Sequence, residues 1–541
     1  MRDDVEGCRP YGRRSRPTPR RGLAASIPAL PAFPDQRLWA AHLPQEIADL
    51  RSELLRDASL PGRIARRWSE RPPWPQLQDV DGTWIASDEL EARTAAAATS
   101  LLGLGAGLGE RVLLCGPSSA RLIIAYLAAL RAGLIVVPVN PAYTEREVTR
   151  IVADSRPAVA VVAAEPIATW VRRAAPGARI LGLNTLAGGP PPAPGAGGGA
   201  GARTLDRAGA EDPALLVYTS GTTGRPKGAL LTHGNLLASA TAVNLAWRWR
   251  LEDRLALALP LFHVHGLGVG VNGSLCAGAS IILRPRFDPD DLTRHCVEGG
   301  ATLLFGVPTM YRRLLDEGLA RRLAGLRLLV SGSAPLPALL AERIAAETGQ
   351  MPLERYGMTE TVMLTSNPHD GPRKPGSVGF QLPGVDLRLA RDGEVQVRGP
   401  NVIAGYWDPG RPDCARVDDA FTADGWFRTG DIGELDGDGY LRLVGRSKEL
   451  IISGGHNVHP REVEEALAEH PAVREVAVVG RPSQRWGEEV TAVVVAERPV
   501  EPAELLAHAR RRLAPYKVPK RVEFTDALPR NALGKVVRGR L

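Results

Sequence analysis

Residues 218–228 (YTSGTTGRPKG) hold the densest set of groups able to do chemistry. Gly221, Gly224 and Gly228 permit backbone angles closed to other residues, while Thr219, Ser220, Thr222 and Thr223 supply hydroxyl donors. Lys227 adds a mobile positive charge. Backbone and hydroxyl donors wrapped around anionic oxygens are what a polyphosphate needs. The stretch contains neither GxxxxGK[ST] nor GxGxxG, so it is not a Walker A loop or a dinucleotide fingerprint. Taken alone, the same residues would also suit an ordinary Gly/Thr surface turn.

The loop follows the strand-like ALLV and precedes the helix-like NLLASATAV. Upstream, from about residue 111, RVLLC, LIVVPVNP and AVAVVAAEP read as strands, and SSARLIIAYLAALRAG and EREVTRIVADS as helices between them. ASIILRP, ATLLFGVP and LRLLVSGS continue the pattern. Such alternation predicts an α/β fold of mostly parallel sheets covered by helices. Beyond residue 380, VDLRLA, GEVQVRG and GYLRLVG alternate more strictly, which predicts a barrel-like layer of short antiparallel strands. After GRSKELIISGG the chain returns to a βα pattern, and residues 448–541 have the size of a separate small domain. The expected organisation is an Arg/Pro-rich disordered extension at 1–25, a large domain at 26–447 with a flexible Pro/Gly loop at 188–202, and a small α/β domain at 448–541.

At 541 residues and 44% hydrophobic content, the chain is too long for one domain and apolar enough for large cores. Of the net charge of +7, residues 1–22 contribute +4 (seven arginines against Asp3, Asp4 and Glu6), which leaves +3 for the rest. No folded region concentrates positive charge, so a nucleic-acid partner is not expected. Five dispersed cysteines form no CxxC pair, so a reducing, cytoplasmic location is expected. No run approaches eighteen apolar residues, so no membrane span is expected.

YTSGTTGRPKG resembles the phosphate loop of the adenylate-forming superfamily, which includes acyl-CoA synthetases, stand-alone adenylation domains and firefly-type luciferases. Companion motifs run in family order from about residue 110 to 540. Residues 355–361 (RYGMTET) resemble the motif whose tyrosine stacks near adenine. The resemblance assigns Arg355, Tyr356, Gly357, Met358 and Thr359 to ATP binding and Glu360 to Mg²⁺. A carboxylate oxygen suits a hard cation, and the Thr359 hydroxyl suits phosphoryl oxygens. Residues 331–335 (SGSAP) resemble the loop between acyl and adenine pockets, which implies Ser331 on the acid side and Ser333 on the nucleotide side. Asp431 in TGD resembles the ribose-binding carboxylate, and Arg446 in GRSKEL an arginine that contacts the nucleotide. Thr222, Glu360, His265 and Lys535 are the implied catalytic residues.

Lys535, in PRNALGK, matches the family's catalytic lysine, and Lys448 its hinge. When a carboxylate attacks the α-phosphate, negative charge builds on the phosphoryl oxygens, and one ammonium bridging both partners would stabilise it. The carboxylate is already ionised near neutrality, so that step needs no general base. Thiol attack on the acyl-adenylate does not need Lys535. The resemblance implies that the small domain then turns Ser453, Gly454, Gly455 and His456 toward the pantetheine of CoA. The implied co-substrates are ATP and CoA, with Mg²⁺.

For the acid, PLFHVHGL, read as an apolar strand end, would present His265 to the site. A helix starting near Pro308 would put Met310 and Arg313 on one face. An arginine aimed into an apolar pocket calls for an anion, such as a second substrate carboxylate. These stretches, with ERYGMTET and TSNPHDG, look much like malonyl-CoA synthetases, whose arginine at the Arg313 position binds the distal carboxylate. Met358 would help keep that pocket small. The expected activity is therefore ATP-dependent ligation of malonate, or methylmalonate, to CoA by a monomer or weak homodimer. An aryl or short-chain acid ligase, a natural-product adenylating enzyme with another acceptor, and a non-catalytic nucleotide-binding scaffold are the competing readings.

Overall fold

The computed structural model describes residues 53–54, 59–188, 205–219, 227–410, 420–531 and 535–541. The expected disordered extension and nearly all of the Pro/Gly loop lie outside these residues.

The short apolar runs become strands buried on both faces, as parallel strands between helix layers must be. Six of them form one sheet in the order Arg179–Gly182, Val159–Val162, Arg111–Cys115, Ile135–Pro138, Pro213–Thr219, Lys227–Thr232. All neighbours are parallel except the last pair. The crossover helices start where the sequence supplies caps. Ser119 accepts from the Leu122 amide, and Thr144 and Glu147 form a capping box.

A nine-stranded sheet carries Arg254–Leu257, Ser280–Leu283, Leu303–Gly306, Leu328–Ser331 and Leu353–Tyr356 in its parallel centre. Antiparallel strands close both ends. One continuous core joins the two sheets, and the fully buried Tyr126, Trp247, Phe305 and Tyr311 are among its largest side chains. The strictly alternating segments form the expected antiparallel meander, Asp386–Leu389, Glu394–Arg398, Phe427–Leu435 and Leu441–Arg446, a curled half-barrel layer.

A smaller α/β unit follows. Five strands, with Val473–Ser483 and Gly487–Ala496 the longest, pack on helices Pro460–Ala468 and Pro502–Arg510 around their own core.

Two local differences from the sequence reading matter for the site. The glycine-rich loop does not run directly into a helix. The strand Lys227–Thr232 intervenes and pairs antiparallel with Pro213–Thr219, so Thr219 faces Lys227 across the loop's base. And PLFHVHGL is not a strand end: a π-helix, His265–Val271, begins there. Gly266 allows it, since a Cβ at that position would stand 2.4 Å from the Pro260 carbonyl.

Candidate active site

The residues expected to meet the nucleotide are built around one buried carboxylate. Asp431 and Arg446 face each other across an antiparallel pair, and Arg446 Nε donates to Asp431 Oδ1 at 3.0 Å. Tyr356, at the end of its strand, donates its hydroxyl to Oδ2 at 2.6 Å. Burial, and then the Asp431 charge, hold the Tyr356 phenol well above the ordinary tyrosine range. Gly430 takes a positive φ of 71° at the turn, where any side chain would strain the backbone. Its amide donates to Glu394, which anchors the turn. With one donor on each oxygen, Asp431 keeps lone pairs for two further donors, as a diol would present.

A second group gathers around Tyr406. Its hydroxyl donates to Glu360 Oε1 at 2.9 Å, and Lys227 Nζ lies 4.8 Å from its ring centroid. Glu360 is buried, and desolvation raises its carboxyl above the usual range. The backbone around it is tightly folded: a Cβ on Gly357 would stand 2.2 Å from the Val362 carbonyl, and Val362 itself has φ 56°. Asn401 pins this segment by donating to the Thr361 and Met363 carbonyls. Met358 and Thr359 remain partly exposed.

Lys535 is half-buried beside the Asp431 group, although 104 positions separate it from Asp431 in the chain (535 − 431). Burial, then the charge of Arg446, hold its ammonium below the ordinary lysine range, with Asp431 and Glu449 acting against them. Asn531 shapes the approach through its amide to the Lys535 carbonyl and its side chain to the Lys535 amide. Lys448 occupies the short 3₁₀ turn Ser447–Glu449 between the last strand of the meander and the small unit.

Among the residues expected to meet the acid, His265 Nδ1 lies 3.0 Å from Ser333 Oγ, and its ring stacks on Phe305. Ser333 takes a left-handed φ of 66° to make this contact. Desolvation, then the charge of Arg355, hold His265 well below the usual histidine range, so it is neutral. His265 Nε2 and Ser331 Oγ are buried without a hydrogen-bond partner.

Arg355, expected on the nucleotide, lies against Gly332 and near enough to His265 for its charge to act on that ring. Alternation along the strand separates it from Tyr356. Arg313 also differs from expectation. Met310 is buried, but Arg313 is exposed, paired with Glu317 at 3.1 Å and lying over Phe287. Positions three apart on a helix differ by about 60° in direction, enough to place one in the core and the other at its rim.

Ser453, Gly454, Gly455 and His456 form a hairpin turn, with φ of 58° and 81° at the two glycines. Gly454 leaves room for Trp486, and His456 stacks on Tyr516 at 4.5 Å. Ser220, Gly221, Thr222, Thr223 and Gly224 lie outside the described residues. The sequence reading missed Tyr406 and Asn401, which carry no motif of their own and reach Glu360 and its neighbours only through the fold.

Residues 64–407 match the AMP-binding enzyme family, and residues 462–535 match the AMP-binding enzyme C-terminal domain. Over 480 residues the chain is 38% identical to a feruloyl-CoA synthase of Amycolatopsis sp, covering 85% of this chain and 93% of that protein. It is 36% identical over 478 residues to the mitochondrial malonate–CoA ligase ACSF3 of Mus musculus, covering 79% and 80%. ATP-bound MatB from Rhodopseudomonas palustris superposes with a TM-score of 0.81 at 38% identity, over 90% of this chain and 98% of that one. The chain belongs to the AMP-binding enzyme family. It is an AMP-forming acid–thiol ligase that joins a carboxylic acid to CoA at the expense of ATP, through an acyl-AMP intermediate. Among the described residues no helix is long and apolar enough to cross a membrane.

Proposed function

We propose that the acid is a short dicarboxylate of the malonate or methylmalonate type. The observation that carries this reading is the set of buried polar atoms left without partners on the acid side, His265 Nε2 and Ser331 Oγ. A long alkyl chain would leave such atoms unpaired at a cost, whereas a short polar acid can satisfy them. The likeness to MatB and to malonate–CoA ligase supports the same substrate class. A second reading, an aryl acid, is favoured by the likeness to feruloyl-CoA synthase and by Trp247 and Trp249 edge-on to Phe305.

In the first step a substrate carboxylate oxygen attacks the α-phosphorus of ATP, and the bond to the β-phosphate breaks to release pyrophosphate. Asp431 accepts the ribose hydroxyls, Tyr356 stacks on adenine and Arg446 adds a cation. Thr219, the hydroxyls and amides of residues 220–224, and Lys227 hold the phosphates. Lys535 bridges the attacking carboxylate and the α-phosphate, where charge develops.

The residues around Glu360 fit a Mg²⁺ ion, because a desolvated carboxylate there gains from an adjacent cation. Glu360 would hold it, and the ion would neutralise charge on the phosphates when bound. In the second step the CoA sulfur attacks the acyl carbon and AMP leaves with its bonding electrons. Rotation about Lys448 brings the hairpin at Ser453–His456 to the site for this step. Pyrophosphate release across a panel of acids, with and without CoA, tests the reading. Dicarboxylates should lead the panel, and preference for aryl or long-chain acids would reject it.

A further inference from the structure

Several ion pairs of the small unit stay within it. Lys517 pairs with Glu462, Arg538 with Glu464 and Glu449, Arg481 with Glu523 and Arg512 with Glu469. Glu465 faces both ways. It pairs with Arg461, one helical turn before it, at 2.9 Å, and also with Arg442 on the strand Leu441–Arg446 of the large unit.

The helix Pro460–Ala468, which carries Arg461 and Glu465, packs on that strand. The approach is close: a Cβ on Gly445 would stand 3.2 Å from Nδ1 of His459, the residue before the helix. Arg461 is 9% exposed, and Glu354, on the strand Leu353–Tyr356 of the large unit, is 3% exposed. Glu354 Oε1 accepts from the Leu336 amide, whereas Oε2 is buried with no hydrogen-bond partner. Burial pushes the Glu354 carboxyl up to about 7, and the charge of Arg461 is the strongest influence against that rise, with Glu465 adding to it.

The charges therefore alternate in sign from Glu354 through Arg461 and Glu465 to Arg442. The large unit supplies the two ends and the small unit the middle. A lone exposed pair contributes little, but these share one network with an enclosed end, where an unmatched charge is costly. The same pose brings Lys535 beside Arg446 and Asp431.

We propose that Arg442 and Glu354, acting on Glu465 and Arg461, dock the small unit in the pose that carries Lys535 to the nucleotide, and so are positioning residues for adenylation alone. The assignment rests on the reading that Lys535 serves adenylation and that the small unit turns about Lys448 before thiol attack. That turn takes Arg461 and Glu465 away from their partners. Contacts made in one pose and lost in the other bias the equilibrium between them.

The test measures acyl-AMP formation and thioester formation from added acyl-AMP separately, by single turnover, with the acid that native enzyme activates fastest. Arg442→Glu sets a carboxylate against Glu465 and should slow acyl-AMP formation about tenfold or more. Thioester formation should hold its rate or gain, because the population shifts toward the second pose. Adding Glu465→Lys to Arg442→Glu restores an opposite-charge pair and should recover part of the lost rate. Glu354→Gln keeps an acceptor for the Leu336 amide without the charge, and should show the same split at about threefold. Circular dichroism reports the fold, and if Arg442→Glu is unfolded, Arg442→Gln carries the test with the same split.

The assignment is overturned if these variants slow both half-reactions alike, if acyl-AMP formation stays within about twofold in Arg442→Glu, or if the double variant is no faster than Arg442→Glu. Lys535→Ala in the same assay separates the two readings. If it fails to split the half-reactions, the rotating small unit is rejected as well. If it splits them and Arg442→Glu does not, this assignment alone is rejected.

Discussion

The two halves of the site handle their buried polar groups in opposite ways. In the half proposed for the nucleotide Asp431, Tyr356 and Arg446 satisfy one another, and Tyr406 supports Glu360. In the half proposed for the acid His265 Nε2, Ser331 Oγ and two nitrogens of Arg355 are left without partners. A site for a ligand common to every turnover can be preorganised, with its donors and acceptors held in place before binding. A site that selects one acid among many gains discrimination by leaving polar groups that only the right substrate completes.

The largest effect should come from the residue at the junction. Lys535→Ala should slow acyl-AMP formation by about 10²–10³-fold, while thioester formation from added acyl-AMP is spared; single-turnover assays of each half-reaction would show it. Loss of both steps would mean that Lys535 serves folding, not the transition state. Because burial and Arg446 lower the Lys535 pKa, adenylation should also decline with rising pH earlier than an ordinary lysine would give. Log rate against pH above 8 is the check.

Next, Asp431→Asn leaves Arg446 without its counter-charge and should raise the ATP KM about tenfold or more, with little change in selectivity among acids. A change in acid selectivity would break the contrast between the two halves. Tyr406→Phe should be milder, about threefold to tenfold in kcat/KM, and should raise the Mg²⁺ concentration needed for half-maximal rate, as titration would show.

The smallest expected effect is on stability. His233 and His263 are held at about 4, and His265 well below the usual value, by burial. Below pH 6.5 the unfolded chain binds protons at these positions that the folded chain refuses, so stability declines as pH falls from about 6.5 toward 4. Glu354, pushed up to about 7 by burial, works in the opposite sense, since its contribution is lost as pH rises through 7. His369, His459 and His508, also lowered by desolvation, add to those three histidines, and Glu360 and Asp386, raised by it, add to Glu354, so with six histidines against three carboxyls the melting temperature should drop between pH 7 and pH 5. A constant or higher value at pH 5 would contradict the buried-neutral assignment.

Much of the fold was legible because its determinants are local. Apolar period located helices such as Glu145–Ser155, and short β-branched runs located the parallel strands. The strand Lys227–Thr232 was missed because KGALLT is short and its last residue already caps the helix His233–Ala246 that follows at once. The π-helix at His265 was missed because PLFHVHGL reads as an apolar strand end, and only the packing of Gly266 against the Pro260 carbonyl shows otherwise.

The sequence by itself determined the α/β class, the order of the motifs and the identity of the groups able to handle phosphate and carboxylate, since residue type and spacing along the chain decide these. Only the tertiary structure decided which of those groups meet. It carried Lys535 to Asp431, set Tyr406 against Glu360, turned Arg313 outward and enclosed Arg355. Which side chains become neighbours depends on strand pairing and helix rotation across hundreds of residues, and burial, which alone converts an arginine from a surface charge into a demand for an anion, exists only once the layers have packed.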